Sequence, residues 1–448
     1  MKFTYITLAF YYVLIHPPLQ AIECPGYIYG SEISKKFVGQ PSRNIRLFSN
    51  DADQTLTERP IHIIPLDRYQ VLTKSPESQT GNRGADATLS IHDRLIISPK
   101  SLGPRLSKGT SSAQNFLPCK AKWVQEISSS SGQEFAYLAY CRGSRKIRGK
   151  QPVISNTKLS TINSSFFNFK HAPDNILLFD NISLKGPNGW QTVGKSADLW
   201  LHLDVRNFFS LDLDKSDLSA KLVDLVAGPY GLIHRLNFYI HILFFKIDLE
   251  MSTLFSFYEK SGHSPIVMNV PVNAWEHLHP GSGIFLNWDP ANTKFVNQET
   301  RYSIPKASPG HIKKGFLESG KLIKNQCQAG QCRFDLNTKA GDLYFRVQVN
   351  IPEKHARRGL VPQRVDDGYT FVKAMDWDED PDFPHKRVGI FFDNTGLPTG
   401  THPIDYWFYP ISKPTDPRGC PVRFSIRGII GDKGNTGTPI IAPDPINK

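Results

Sequence analysis

Apolar and polar residues alternate along this chain in short runs separated by Gly, Pro, Asn and Asp. The clearest runs are 61–66, 94–97, 199–205, 237–249, 344–351 and 422–426. Runs of that length between turn formers predict strands. Helical spacing is confined to residues 31–38 and 217–226, each predicted as a short helix. The expected balance is β-dominated with minor helix.

The first residues show a different pattern. Lys2 precedes an almost unbroken apolar run from Phe3 to Ile15, then Pro17 and Pro18 break it and the small Ala21 comes next. This is the layout of an export signal over residues 1–21. The run is too short to span a bilayer, which takes about 20 apolar residues. The apolar stretch 238–247 is interrupted by His241 and Lys246, so no membrane span is predicted. The expected location is secreted and extracellular. The chain beyond the signal is long enough for two or three domains. The serine run 128–132 and the Pro- and Lys-containing stretch 303–314 suggest cuts giving 22–126, 127–305 and 306–448, with a loose tail from Gly431.

Composition adds a partner class. The formal charge is +12, with basic clusters at Arg142–Lys150, Lys313–Lys314 and Lys354–Arg358, which suits a polyanion. Six cysteines, Cys24, Cys119, Cys141, Cys327, Cys332 and Cys420, favour disulfides in an exported chain and leave the pairing open. The spacing of Cys327 and Cys332 is wider than a zinc knuckle and has no second pair, so neither metal nor cofactor is expected. Glu276, His277 and His279 lie within four residues, a spacing that could hold a metal if they were on a strand, but no third ligand is identifiable, although His234 and His263 are in reach by sequence. The acidic run Asp376–Asp382 lacks the glycine and closing glutamate of a common calcium loop. Asn163-Ser-Ser and Asn181-Ile-Ser are glycosylation acceptor sequons if the source is eukaryotic.

One set of motifs resembles a known family. Cys24-Pro-Gly-Tyr-Ile-Tyr-Gly-Ser-Glu-Ile opens the mature chain, and a loop from Lys108 runs through Asn115-Phe-Leu-Pro to Cys119. Between them come Ile63-Ile-Pro65-Leu66 and His92-Asp93-Arg94-Leu-Ile-Ile. In this order they resemble the small secreted guanyl-specific ribonucleases of fungi and the ribonuclease-like effectors of powdery-mildew type, clearest over residues 24–119. Phe383-Pro-His385-Lys, Tyr409-Pro-Ile, Cys420-Pro-Val-Arg423 and Gly428-Ile-Ile-Gly-Asp432 echo the same family more faintly. The resemblance implies an α+β fold: two or three tandem modules, each a short helix on an antiparallel sheet. It also implies a Cys24–Cys119 bridge, with long-loop bridges from Cys420 to Cys327 or Cys332.

Read onto this sequence, the family's catalytic set is incomplete. Cleaving RNA through the 2′-OH needs a proton acceptor, a proton donor and a cation on the phosphate. Ile63 stands at the base position, Lys108 at the acid and Arg94 at the phosphate position. In the last segment His385 and Arg423 match, while Phe408 and Asp432 stand at the base and acid positions. An isoleucine or phenylalanine cannot accept a proton. The expectation is therefore a non-catalytic secreted effector, delivered into or around host cells, that binds RNA or a host protein. Arg94, Lys108, His385 and Arg423 are its candidate phosphate-binding residues. The alternative reading is an extracellular β-sandwich protein that recognises glycans or wall polymers. Oligomeric state is left open by both.

Overall fold

A computed structural model describes residues 24–51, 53–66, 88–107, 116–129, 132–143, 152–156, 160–173, 175–176, 178–206, 209–214, 217–242, 245–270, 273–279, 281–291, 331–338, 343–351, 361–365, 371, 387–394, 396–411 and 425–430. The export-signal residues lie outside this set.

The described chain is four antiparallel sheets. The largest has the order β21 (Val361–Val365), β22 (Val388–Asp393), β18 (Gly283–Pro290), β12 (Gly189–Val205), β11 (Phe179–Gly186), β10 (Phe167–His171), β9 (Thr161–Asn163) and β8 (Ile154–Asn156). β13 (Phe209–Leu213) pairs with the far end of β12. The second has the order β14 (Leu218–Ala227), β15 (Gly231–Ile242), β16 (Phe245–Tyr258), β17 (Gly262–Val270), β23 (Gly400–Ile411), β20 (Tyr344–Asn350) and β19 (Gln331–Asn337). A small sheet has β5 (Arg94–Ile97) between β1 (Gly26–Tyr29) and β4 (His62–Ile64). The fourth has the order β24 (Ser425–Ile430), β6 (Ala121–Ser128), β7 (Phe135–Cys141), β2 (Ile45–Asn50) and β3 (Leu56–Arg59).

Strand alternation stacks these sheets. Phe167, Phe169, Ile182, Leu184 and Val193 of the nine-stranded sheet share a core with Phe257, Phe345, Val347 and Phe408 of the seven-stranded sheet. The opposite face of β23 presents Trp407, Tyr409 and Ile411 to Tyr27, Ile64 and Ile96 of the small sheet. The small sheet's other face, Ile28, Ile63, Leu95 and Ile97, packs on Leu47, Ile127 and Leu138 of the five-stranded sheet. The architecture is thus a β-sandwich carrying two further sheets on one side. Rings fill its main core: Phe408 lies 5.2 Å from Phe169 and 6.1 Å from Phe257, centre to centre. A Cβ on Gly262 would fall 1.7 Å from the Phe408 ring, so glycine is what lets β17 pass beneath it.

This corrects the α+β expectation. Among the described residues the longest helix is one turn, α1 (Ala274–His277), beside two short 3-10 turns at Ser42–Asn44 and Pro99–Ser101. Residues 31–38 form successive turns: the Glu32 N–H donates to the Tyr29 carbonyl and the Phe37 N–H to the Ser34 carbonyl, both at 2.9 Å, each spanning three residues where an α-helix spans four. Glu32 accepts from the Tyr29 N–H at 2.7 Å, and Gln125 from the Ser34 N–H at 3.0 Å. Ile33 and Phe37 keep the helical spacing that prompted the expectation, and both are buried. Residues 218–226 lie in β14. Its register slips between Leu222 and Asp224, and a bulge of that kind changes which face the later residues occupy. Leu218, Leu222 and Leu225 therefore only mimic a helical stripe.

Tandem modules are not found either. β24 pairs with β6, β23 with β17, and β22 with β18, so three of the four sheets join strands far apart in the chain. β6 itself spans the cut expected at 126. The Cys24–Cys119 bridge is also corrected: Cys119 is joined to Cys141, with Cα atoms 6.0 Å apart. It closes the β6–β7 hairpin, where Ala121 faces Cys141. Cys24 and Cys332 are disulfide-bonded as well.

The sandwich core also holds His234, fully buried, with its ring 5.3 Å from Phe257. Neither ring nitrogen has a hydrogen-bond partner among the described residues. Burial, with nearby His171 adding a smaller effect, pushes its pKa down to about 3. Burial lowers the pKa of His263 too, against the pull of Asp405. The unfolded chain takes up protons near pH 6.5 that the folded chain refuses. Stability is thus full above about pH 6.5 and falls below it, for His234 by up to about 1.4 kcal/mol per pH unit down toward pH 3, with His263 adding in the same direction. Chemical denaturation at pH 7, 6, 5 and 4 should show this slope, and His234→Phe should make it shallower. Phe408→Ala, measured the same way at pH 7, is expected to cost about 3–5 kcal/mol.

Candidate functional site

The residues expected to face phosphate do not gather into one site. Arg94 begins β5 and is 2% exposed, its side chain turned toward the seven-stranded sheet. Its guanidinium lies 4.7 Å from the centre of the Tyr27 ring and 5.4 Å from that of Tyr29, and it donates to the Tyr29 hydroxyl at 3.4 Å. Burial works against the charge, but Tyr29, Tyr27, Tyr258 and Asp405 outweigh it and the pKa ends above the ordinary arginine value. Tyr258 itself is pushed up to about 12 by burial, so at neutral pH Asp405 supplies the balancing charge. Asp405 accepts from Tyr27 OH at 3.4 Å and lies 2.9 Å from His263 Nε2. The His263 ring stacks on Trp407 at 4.1 Å.

This cluster welds two sheets together and does not face solvent. Ile63 lies in the layer between the small and five-stranded sheets, and Phe408 in the main sandwich core. Lys108, His385, Arg423 and Asp432 lie outside the described residues, as do Cys327, Cys420 and the acidic run 376–382. His277 ends α1, where its carbonyl accepts from the Arg206 N–H, and the His279 N–H donates to the Asp204 carbonyl. His234 and His263 are buried in other layers. Among the described residues no three His, Cys, Asp or Glu side chains converge as metal ligands.

A different surface has the makings of a site: the outer face of the nine-stranded sheet over β9–β12. Ile162, Phe167, Phe169, Ile182, Leu184 and Val193 point into the core, so their strand neighbours point out. These neighbours are Thr161 and Asn163, Asn168 and Lys170, Asn181, Ser183 and Lys185, and Trp190 and Thr192. The register sets Asn168 beside both Asn163 and Ser183, and Lys185 beside Trp190. The amides and hydroxyls form a carpet. Asn163 donates to Thr161 at 3.1 Å, Asn168 donates to Asn163, and Ser183 donates to Asn181 at 2.7 Å and lies 3.4 Å from the Thr192 hydroxyl. All six of these residues are half-buried, Trp190 at the edge is 49% exposed beside Lys185, and Lys170 stands between Thr161 and Asn181.

Such a face offers donors and acceptors at a regular spacing, with the Lys170 ammonium among them and one broad aromatic ring at its edge. The other end of the sheet's outer side is closed, because Phe371 packs on Phe285 and Phe391. In the sequence only Asn163 and Asn181 stand out, through their sequons. The missed signal was the polar residue at every second position opposite an apolar one.

The fold defines this chain as a multilayered all-β sandwich protein. No known protein family matches it, and no curated protein does. Among solved structures it is similar to an alpha-mannosidase from Enterococcus faecalis V583, at 7% identity and a TM-score of 0.40 over 88% of this chain and 41% of that one. It is also similar to a putative kojibiose phosphorylase from human microbiome, at 9% identity and a TM-score of 0.19 over 61% of this chain and 35% of that one. The chain thus spans less than half the length of either. Likeness at that level carries no information on activity.

If Arg94 is a structural group, its loss should appear in stability. Arg94→Ala is expected to destabilise the chain by about 3–5 kcal/mol in chemical denaturation, the range for removing one member of a buried charge set. Arg94→Met keeps most of the volume and should recover most of that loss. Equal stability of wild type and Arg94→Ala would contradict the assignment.

Proposed function

We propose that this chain is an exported β-sandwich protein that binds glycans on the outer face of β9–β12 without chemically altering them. The observation that carries this reading is the carpet of Thr161, Asn163, Asn168, Asn181, Ser183 and Thr192 with Trp190 exposed at its edge. Sugar hydroxyls both donate and accept, as amide and hydroxyl side chains do. A pyranose ring has an apolar face of C–H groups that packs on an indole, while the indole N–H stays free for a polar partner. A sheet face suits an extended polymer better than a small molecule, which needs a deep pocket. The export pattern of residues 1–21 would bring the chain to where such polymers are found.

The reading assigns no catalytic role to the ribonuclease-like positions. They hold Ile63, Phe408 and a buried Arg94, and these lie in separate layers. The excess of positive charge keeps acidic polymers among the ligands to be tried.

The test is calorimetric titration of the intact chain, made without attached sugars, against soluble plant, fungal and bacterial polysaccharides, with RNA in parallel. Binding to at least one polysaccharide is expected, with Trp190→Ala weakening it about tenfold, or roughly 1.4 kcal/mol. RNA binding that falls steeply with salt, with every polysaccharide silent, would overturn the proposal.

A further inference from the structure

Two sequence features of one kind meet on this face. Asn163-Ser164-Ser165 and Asn181-Ile182-Ser183 are the only Asn-X-Ser/Thr sequons in the 448 residues, with X other than proline. Nothing about sequon chemistry requires them to be neighbours in the fold. Yet Asn163 is on β9 and Asn181 on β11, the strands either side of β10. Both lie on the outer face, and both are half-exposed. Asn163 faces Asn168, Asn168 faces Ser183, and Asn181 is two residues from Ser183. Strand spacing then sets the two asparagines roughly 12 Å apart.

We infer that Asn163 and Asn181 are acceptors of N-linked glycans, and that these glycans close the sugar-binding face, so that the fully glycosylated chain is a masked form. The second half of this inference rests on the function proposed above. In the transfer, the Asn Nδ2 bonds to C1 of an oligosaccharide carried on a lipid diphosphate. The C1–O bond breaks with its electron pair, the lipid diphosphate leaves, and one amide proton passes to a base of the transferase. Transfer takes place on the extended chain as it enters the secretory compartment, before β9–β11 pair. The folded structure must then tolerate the product, and here it does. At both positions the side chain points away from Ile162 and Ile182, which are in the core, so a glycan projects into solvent without breaching it.

Geometry also makes the attachment consequential. The Asn163 amide nitrogen donates to Thr161, and the Asn181 oxygen accepts from Ser183. A sugar on either nitrogen stands over these same groups. Two branched oligosaccharides about 12 Å apart overlap the whole stretch from β9 to β12. By contrast, Ser165 completes the first sequon from outside the carpet, with its hydroxyl donating to Glu259 at 2.9 Å. The Asn163 sequon can therefore be removed without touching the binding face.

The test uses the full chain made in a eukaryotic secretory host. Intact mass and peptide mapping should show oligosaccharide on Asn163 and Asn181, with Ser165→Ala losing the first and Asn181→Gln the second. Trimming with an endoglycosidase that leaves a single sugar, or expression in a host without the transferase, should raise polysaccharide affinity at least tenfold over the fully glycosylated chain. Bare asparagines in the secreted protein would overturn the modification. Occupied asparagines with affinity unchanged by trimming would overturn the masking. If the unglycosylated chain binds no polysaccharide, the function reading fails and the masking falls with it, while the mass measurement still decides the modification.

Discussion

The seven-stranded sheet must be covered on both faces, and the rest of the structure depends on that. β23 carries the constraint most plainly. Tyr406 and Phe408 look into the sandwich core, while Trp407, Tyr409 and Ile411 look the other way. A strand that is apolar on both sides cannot be left at a surface. The nine-stranded sheet covers one face and the small sheet the other. Between the seven-stranded and small sheets the chain places a polar interior cluster, with Arg94, Tyr27, His263 and Asp405 fixing how they dock. The five-stranded sheet then closes the far side of the small one.

Stacked in this way, the sheets use up most of their faces on one another. One end of the nine-stranded sheet's outer side lies under Phe371. The other end, over β9–β12, is polar and uncovered among the described residues, which is why it stands out as a place where a ligand could sit. The same openness lets two asparagines carry oligosaccharides at no cost to the core. A binding face and a shielding device can share one sheet surface because both need outward amides above a rigid apolar layer.

Much of the strand content was legible in the sequence, because alternation is local. Residues 94–97 are β5, and the run 344–351 contains β20. Arrangement was not legible, since it depends on pairings between distant segments such as β24 with β6 and β22 with β18. Short motifs misled where their context was absent. The apolar residues after Asp93-Arg94 do form a strand, but Arg94 turns inward between two tyrosines. Cys119 closes a local hairpin with Cys141 where a long loop back to Cys24 was expected. The candidate face was half-legible: its sequons stood out, but without the register nothing showed that they share a side with Trp190.

The central claim is that the open face of β9–β12 is where a sugar polymer sits. A crystal structure of the unglycosylated chain with an oligosaccharide from any polysaccharide it binds would address this most directly. The account predicts sugar rings lying along β9–β12, one of them stacked on Trp190 and hydroxyls within hydrogen-bond reach of Asn168 and Thr192. Ligand bound elsewhere, with this face bare, would contradict it.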